Sequence, residues 1–255
     1  MKSNNNDLTK NALIIAGLTL LLVIFLVLLL AFYAGDSSGF EKKVAVIPLK
    51  GEISMSYGGY SEGFSALELV EKLDEAQNDP SIGVIFLDID SPGGSVVATK
   101  QIVYKVLEVK KTKPVVSYIG EVGASGAYYV AASSDYIITD ADSITGSIGV
   151  ISIVPNIEEL LTKIGVKVNI VKAGEYKAIG SIFEELKPQE RELLETLIME
   201  TFEGFKSDVL SFRKDKLNKI QFEKVADGRI ISGRQALSLK LVDELLPREI
   251  AIEIA

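Results

Sequence analysis

Three residue types are missing from this chain, which contains no histidine, no cysteine and no tryptophan. Without histidine, Ser-His-Asp and Cys-His machinery and imidazole-ligated metals are excluded. Without cysteine, thiolate nucleophiles, disulfides and zinc knuckles are excluded as well. Any acid–base chemistry must therefore use lysine, tyrosine, aspartate or glutamate side chains.

Basic residues are also fewer than acidic residues. The 255 residues carry 27 Lys and Arg against 35 Asp and Glu, a formal net charge of −8. An acidic chain is poorly suited to binding phosphates, so we expect no nucleic-acid partner. Asp140 and Asp142 could approach a cation, but two carboxylates in a turn are usually solvated. We therefore predict no metal and no cofactor.

One long run of the chain, residues 12–34, contains no charged residue. As a helix rising about 1.5 Å per residue it would reach roughly 35 Å, enough to cross a hydrocarbon core of about 30 Å. A cleaved signal peptide is the alternative, but its apolar region is usually only about 7–15 residues long. Bulky Phe32 also stands where a cleavage site ending at Ala34 needs a small residue.

These features predict a single-pass protein of the cell membrane. Its parts would be a tail at 1–11, a transmembrane anchor at 12–34, a linker at 35–42 and one domain at 43–255. The domain is expected on the extracytoplasmic side, although the charge bias that favours this orientation is slight.

Apolar runs and helical patterns alternate along the domain, which is typical of a layered α/β fold. The predicted strands cover 44–49, 82–89, 114–119, 136–139, 148–154 and 166–171. The predicted helices cover 65–77, 95–109, 125–133, 156–164, 188–215 and 232–239.

Two strand-to-helix connections are rich in small residues. The strand over 82–89 runs into Gly93 and Gly94, where backbone amides can approach an anionic centre closely. The strand over 114–119 leads to Ser125, which is followed by Gly126. Such a turn can expose a hydroxyl beside an amide that would hold an oxyanion. At this point two alternatives remain. Gly93 and Gly94 could form a plain connection between strand and helix, and the small residues around Ser125 could serve only the close packing of a helix.

A serine nucleophile needs a base, and without histidine that base must be a lysine or a carboxylate. A lysine base must have its pKa lowered from about 10.4 by roughly 2–3 units. Lys177 follows an apolar segment and precedes small or apolar residues, which makes it the favoured candidate. Lys172 and Glu175 remain nearby alternatives.

Taken in order, five short motifs resemble those of the signal peptide peptidase A family. They are Ser-Pro-Gly-Gly at 91–94, Gly-Ala-Ser-Gly-Ala-Tyr-Tyr at 123–129, Thr-Gly-Ser-Ile-Gly-Val at 145–150, Gly-Glu-Tyr-Lys at 174–177 and Gly-Arg-Ile-Ile-Ser-Gly at 228–233. The resemblance covers about residues 43–246 and is closest to the short, single-copy form. One departure is Lys240, which stands where the family usually carries glycine.

This resemblance implies a crotonase/ClpP-like fold of repeated ββα units and a Ser-Lys protease that degrades signal peptides and other hydrophobic segments. Ser125 matches the nucleophile, Lys177 the general base and Ser147 the serine that orients the lysine. Gly94 and Gly126 match the oxyanion hole. The family also implies a homo-oligomeric ring in which the dyad is shared between subunits.

Three other functions compete with this interpretation. A stomatin-associated membrane protease would use the same Ser-Lys chemistry. A crotonase-like acyl-CoA lyase or hydratase would use Glu121 as its base. A membrane-tethered scaffold would have a degenerate site, which the complete set of matched residues argues against.

Ser211 and Lys214 have the Ser-x-x-Lys spacing of penicillin-interacting enzymes, but the partner motifs of those enzymes are absent.

Overall fold

The computed structural model describes residues 5–35, 42–55 and 64–255. The chain divides into two compact units, Met1–Lys42 and Lys43–Ala255. Parts of the predicted tail and linker, residues 1–4 and 36–41, lie outside the described residues.

In the first unit, the described residues include the helix α1 at Asn5–Gly35. Its side chains over 15–30 are all exposed, and none of them is charged. Across the described ranges, no helix combines the length and the apolarity that crossing a membrane requires. The transmembrane prediction for 12–34 therefore has no support from this structure.

The second unit alternates strands and helices. Its described strands are β1 Lys43–Lys50, β2 Ile53–Ser54, β3 Phe64–Ser65, β4 Ile82–Ser91, β5 Val115–Ala124, β6 Tyr136–Thr139, β7 Ile144–Gly146, β8 Ile230–Ser232 and β9 Glu244–Leu245. Its described helices are α2 Ala66–Asn78, α3 Val96–Val109, α4 Gly126–Ala132, α5 Glu158–Lys163, α6 Pro188–Phe212, α7 Lys219–Glu223, α8 Gly233–Ser238 and α9 Arg248–Ile254.

The main sheet is mostly parallel, which confirms the α/β prediction. β1, β4, β5, β6 and β9 lie side by side in that order. The end of β5 also pairs with β7 in parallel, and β7 pairs with β8 in the antiparallel sense. Because parallel strands end at the same edge, the segments that leave β4, β5 and β7 are brought together there.

The central strand β4 is apolar along most of its length because both of its faces are covered. Ile85, Leu87 and Ile89 face the larger core, where α2, α3 and α4 contribute most of the helical side chains. Phe86 faces the opposite side and packs with Tyr118 and with residues of α9. A strand covered on both faces gives a continuous apolar run instead of an alternating one.

Two predicted strands, 148–154 and 166–171, are absent from the described structure. Both runs are apolar, but neither pairs with a neighbouring strand, and Ile151 and Ile153 remain 81% and 78% exposed. A strand needs a hydrogen-bonded partner, which an apolar pattern alone cannot reveal. Three short strands that the sequence pattern missed, β7, β8 and β9, complete this side of the sheet instead.

Candidate active site

Ser125 occupies a sharp turn between β5 and α4. Its backbone has φ 53° and ψ −122°, a combination that non-glycine residues seldom adopt. The turn is held by two backbone bonds, from the Ser125 N–H to the Gly146 carbonyl at 2.9 Å and from the Tyr129 N–H to the Ser125 carbonyl at 3.0 Å. The Ser125 hydroxyl does not cap α4, so it is available for other chemistry.

The glycine pair after β4 packs directly against this turn. A Cβ on Gly93 would lie 2.7 Å from the Gly126 nitrogen, and a Cβ on Gly94 would collide with the Ile53 carbonyl oxygen. Gly93 has φ +97° and Gly94 has φ +156°. Only glycine therefore fits either position, and the backbone of this loop approaches the residue after Ser125.

The backbone amides of Gly94 and Gly126 lie close to one another. A Cβ on Gly126 would stand 3.4 Å from the Gly94 nitrogen. Gly126 is also the first residue of α4, so its N–H has no acceptor within the helix. The two amides are thus neighbours at the entrance to a helix, an arrangement suited to stabilising negative charge.

Ser147 reaches the same region from β7. It has φ 50°, and its N–H donates to the Arg229 carbonyl at 2.8 Å. The register of the sheet explains why this residue lies near Ser125. Ala124 pairs with Gly146, so the residues that follow them leave the sheet at the same level.

A cavity of about 500 Å³ contains this group of residues, and we call it the large cavity. Ser125, Ser147 and Gly94 all line it. Its other walls are mainly apolar or small and come from the segment after β4, from the segment after Ser147, from α6 and from the turn before β8; they are Pro92, Val96, Gly149, Val150, Ile151, Ile198, Met199, Phe202, Asp227 and Gly228. A hydroxyl that lines a cleft with many apolar side chains is suited to a reaction on a hydrophobic substrate.

Lys177 lies outside this cavity. It is exposed in a turn after Gly174, with its N–H bonded to the Gly174 carbonyl at 3.3 Å, and it lines neither the large cavity nor the small one described below. Within one chain, the structure therefore unites Ser125, Ser147 and the two glycines but leaves the predicted base outside. Glu121, the base of the alternative lyase, is also exposed and absent from both linings.

A second cavity, of about 30 Å³, opens beside Ser125, and we call it the small cavity. Its lining includes Thr99 from α3, Tyr129 from α4 and Phe205 from α6, and of these only Tyr129 belongs to a motif identified in the sequence. Tyr129 stacks on Phe205 at 4.5 Å between ring centroids, and its hydroxyl donates to Asp208. These contacts link α4 to α6, which are distant in sequence, so the motif that contains Tyr129 could not reveal them.

Burial and the bond to Asp208 raise the pKa of Tyr129. Its phenol therefore stays protonated and uncharged over the whole physiological range. The ring acts as a neutral wall of the small cavity.

Asp227 and Asp142 are engaged in ion pairs. Hydrogen bonds from Arg229 lower the pKa of Asp227, at the rim of the large cavity, to about 2. Asp142 pairs with Arg234, which lowers the pKa of its carboxyl group, and Asp140 accepts a bond from the Asp142 N–H at 2.9 Å.

Comparisons with known proteins agree with this geometry. The model of Peptidase family S49 matches residues 108–255. A candidate protease of Methanocaldococcus jannaschii is 38% identical over 217 residues, which cover 83% of this chain and 69% of that protein. The chloroplastic serine protease SPPA of Arabidopsis thaliana is 32% identical over 221 residues, which cover 84% of this chain and 32% of that protein.

Among solved structures, a point mutant of 1510-N, a membrane-bound stomatin-specific protease, superposes with a TM-score of 0.52 at 15% sequence identity. The match covers 84% of each chain. At this level of identity the likeness shows a shared fold and does not distinguish between substrates.

Fold and comparisons together define the chain as a serine-type protease. It belongs to peptidase family S49 and, within it, to the signal peptide peptidase A family. The resemblance that its five motifs suggested is thereby confirmed.

Proposed function

We propose that this protein is a membrane-anchored serine endopeptidase that degrades hydrophobic peptides such as cleaved signal peptides, with Ser125 as nucleophile and Lys177 as general base. The observation that carries the proposal is the strained turn at Ser125, which presents an uncapped hydroxyl to a cavity beside two neighbouring glycine amides. Backbone strain of this kind is maintained where function needs it.

The proposed reaction follows from these positions. The Ser125 Oγ attacks the scissile carbonyl carbon while its proton moves to the neutral amine of Lys177. The N–H groups of Gly94 and Gly126 donate to the oxygen that becomes negative. Lys177 then gives the proton to the leaving amine, and water hydrolyses the ester on Ser125 by the same route. Ser147 serves as a positioning residue that hydrogen-bonds the lysine.

In this proposal the lysine comes from a neighbouring subunit of a homo-oligomeric ring. Lys177 is exposed and lies outside the cavity of its own chain, so one subunit alone does not bring this lysine into the cavity that Ser125 lines. The segment that carries Lys177 also exposes large apolar side chains, among them Val171 at 98% exposure. Exposed apolar surface of this extent favours association with another copy of the chain.

Extended peptides would bind along the segment that follows Ser147. Residues 149–156 belong to no strand, and they lie beside the large cavity and the groove that continues from it along α6. Unpaired backbone can add a peptide as a new strand, with alternate side chains entering pockets. The small cavity beside Ser125 would accept a small residue such as alanine before the scissile bond.

Membrane anchoring by residues 12–34 remains part of the proposal, as does placement of the domain on the extracytoplasmic side of the cell membrane. This part of the proposal rests on the sequence, where the run over 12–34 contains no charged residue. For the domain we propose the crotonase/ClpP-like arrangement of ββα units.

The decisive experiment is digestion of an alanine-containing signal peptide by the full-length protein, together with covalent labelling by a fluorophosphonate. We expect labelling and cleavage by the wild type and neither by Ser125→Ala. Ser211→Ala, which changes an exposed serine on α6, is the matched control and should behave like the wild type. Labelling that survives in Ser125→Ala would contradict the assignment of the nucleophile.

A further inference from the structure

The hydroxyl of Thr99 is buried without a partner. Thr99 is 1% exposed, and its Oγ1 forms no hydrogen bond. A buried polar group that lacks a partner destabilises a folded protein, so such groups are rare and call for an explanation.

Other helical threonines show how unusual this is. Thr19, Thr162, Thr196 and Thr201 each donate to the carbonyl four residues earlier in their helix. Thr99 lies in α3, and the carbonyl four residues earlier belongs to Ser95. This carbonyl accepts the Thr99 backbone N–H at 2.9 Å. The Thr99 hydroxyl nevertheless forms no such bond.

The position of this hydroxyl is defined by Gly126. A Cβ on Gly126 would lie 2.5 Å from the Thr99 Oγ1, so the oxygen lies against the residue that follows Ser125. Thr99 also lines the small cavity. A substrate acyl group on Ser125, with its oxygen at the Gly126 amide, would direct the side chain of its last residue toward this cavity.

The size and chemistry of the small cavity restrict what it can hold. One water-sized group needs roughly 10–15 Å³, so a cavity of about 30 Å³ has room for the side chain of alanine or serine. Tyr129 and Thr201, which also line it, already have partners in Asp208 and the Leu197 carbonyl. Lys100 also lines the cavity, but apart from the nucleophile Ser125 the described lining holds one hydroxyl without a partner, that of Thr99, which is therefore placed to bind a polar group on the substrate.

We infer that Thr99 is a specificity-determining residue whose hydroxyl hydrogen-bonds a serine immediately before the scissile bond. The inference rests on the proposed function and narrows it: among small residues, serine is preferred because it alone supplies a hydroxyl to Thr99. An apolar residue of the same size leaves the Thr99 hydroxyl without a partner.

The test compares three peptides that differ only at the residue before the scissile bond, which is alanine, serine or 2-aminobutyrate. Serine and 2-aminobutyrate have nearly the same shape, and they differ by a hydroxyl in place of a methyl group. For the full-length wild type we expect kcat/KM to favour serine over 2-aminobutyrate by about three- to tenfold. Thr99→Val, which replaces the hydroxyl by a methyl group, should remove this preference, whereas Thr99→Ser should keep it.

Thr99→Ala provides a second variant that lacks the hydroxyl, and it should lose the preference for serine as well. Thr99→Val should melt at least as high as the wild type, because it removes a buried group without a partner. A serine preference that persists in both variants, a wild type without that preference, or a lower melting temperature for Thr99→Val would each overturn the inference. A wild type that cleaves none of the three peptides would instead count against the proposed function.

Discussion

At the scale of single residues, the candidate site depends on side chains held in unusual backbone conformations. Ser125 and Ser147 both have positive φ, and both are fixed by backbone bonds at the end of a strand. Each conformation costs of order 1–3 kcal/mol, which the surrounding sheet must offset. The sheet thereby fixes the direction in which each hydroxyl leaves the backbone.

The role of Lys177 leads to the first prediction. Lys177→Arg should abolish cleavage, because a guanidinium group keeps its proton in proteins and cannot act as a base. Peptide digestion measures this, with Lys172→Arg as the control on a neighbouring lysine. Retention of most activity by Lys177→Arg would remove Lys177 from the dyad.

Ser147 is predicted to act through the lysine. Loss of one hydrogen bond of about 1 kcal/mol should lower kcat by about fivefold in Ser147→Ala and leave KM nearly unchanged. Steady-state kinetics separate the two constants, and the melting temperature reports on folding. An unchanged kcat on a slow substrate, for which chemistry limits the rate, would exclude this role.

At the scale of elements, the end of α8 contains a lysine where glycine would fit better. Lys240 has φ +63°, the Leu241 N–H bonds to the Ala236 carbonyl at 2.9 Å, and the Lys240 N–H bonds to the Leu237 carbonyl at 3.0 Å. This is a Schellman motif, whose left-handed residue is usually glycine. α8 therefore ends in this motif with a lysine side chain in the left-handed position.

Replacing this lysine should stabilise the protein. Lys240→Gly relieves the contact of its Cβ with the backbone and should raise the free energy of unfolding by roughly 1 kcal/mol. Lys240→Ala removes the charge but keeps the Cβ, so it should stay close to the wild type. Urea denaturation measures both, and a Lys240→Gly variant less stable than the wild type would contradict the argument.

The end of α6 is tied to the strand β9 by a buried ion pair. Asp243 accepts bonds from Arg213 at 2.8 and 3.0 Å, from Lys216 at 2.6 Å and from the Ile137 N–H at 2.9 Å. Burial opposes the charge, yet the bonds from Arg213 and Lys216 outweigh it and lower the pKa of Asp243. The Arg213 side chain is only 2% exposed and depends on this carboxylate.

Asp243→Asn should therefore destabilise the protein by about 3–5 kcal/mol at pH 7, because it leaves the buried charge of Arg213 without an opposite charge, although its bond to the Lys240 carbonyl remains. A group with a lowered folded pKa stabilises above its unfolded pKa of about 3.9 and loses that effect as the pH falls through its folded value. The difference between wild type and variant should thus shrink in acid. Urea unfolding at pH 7 and pH 3 tests this, with the exposed Asp215→Asn as the control.

At the scale of the whole molecule, the separation of Lys177 from Ser125 makes assembly part of the proposed chemistry. If neighbouring subunits share the dyad, Ser125→Ala and Lys177→Ala are each inactive alone. Mixed rings join some intact serines to intact lysines, so activity should return when the two variants are dissociated and assembled together. Digestion assays on the mixture measure the recovery, and mixed rings without any recovery would place the dyad within one subunit.

Much of this protein was determined by its sequence alone. The lack of histidine and cysteine excluded most nucleophilic machinery, because those reactions need particular side-chain atoms. Short motifs around Gly94, Ser125 and Ser147 identified the family, and alternating apolar runs predicted the strands β1, β4 and β5 and the helices α2 and α3. Such signals are local, because each of them depends only on residues within a few positions of one another.

Only the tertiary structure decided which of these residues meet. Parallel register brings the ends of β4, β5 and β7 to one level, and helices distant in sequence enclose Thr99 and Tyr129 beside Ser125. The apolar runs at 148–154 and 166–171 did not become strands, because a strand also needs a partner that its own residues do not specify. Contacts of this kind depend on register and packing between distant segments, and no single segment of the sequence contains that information.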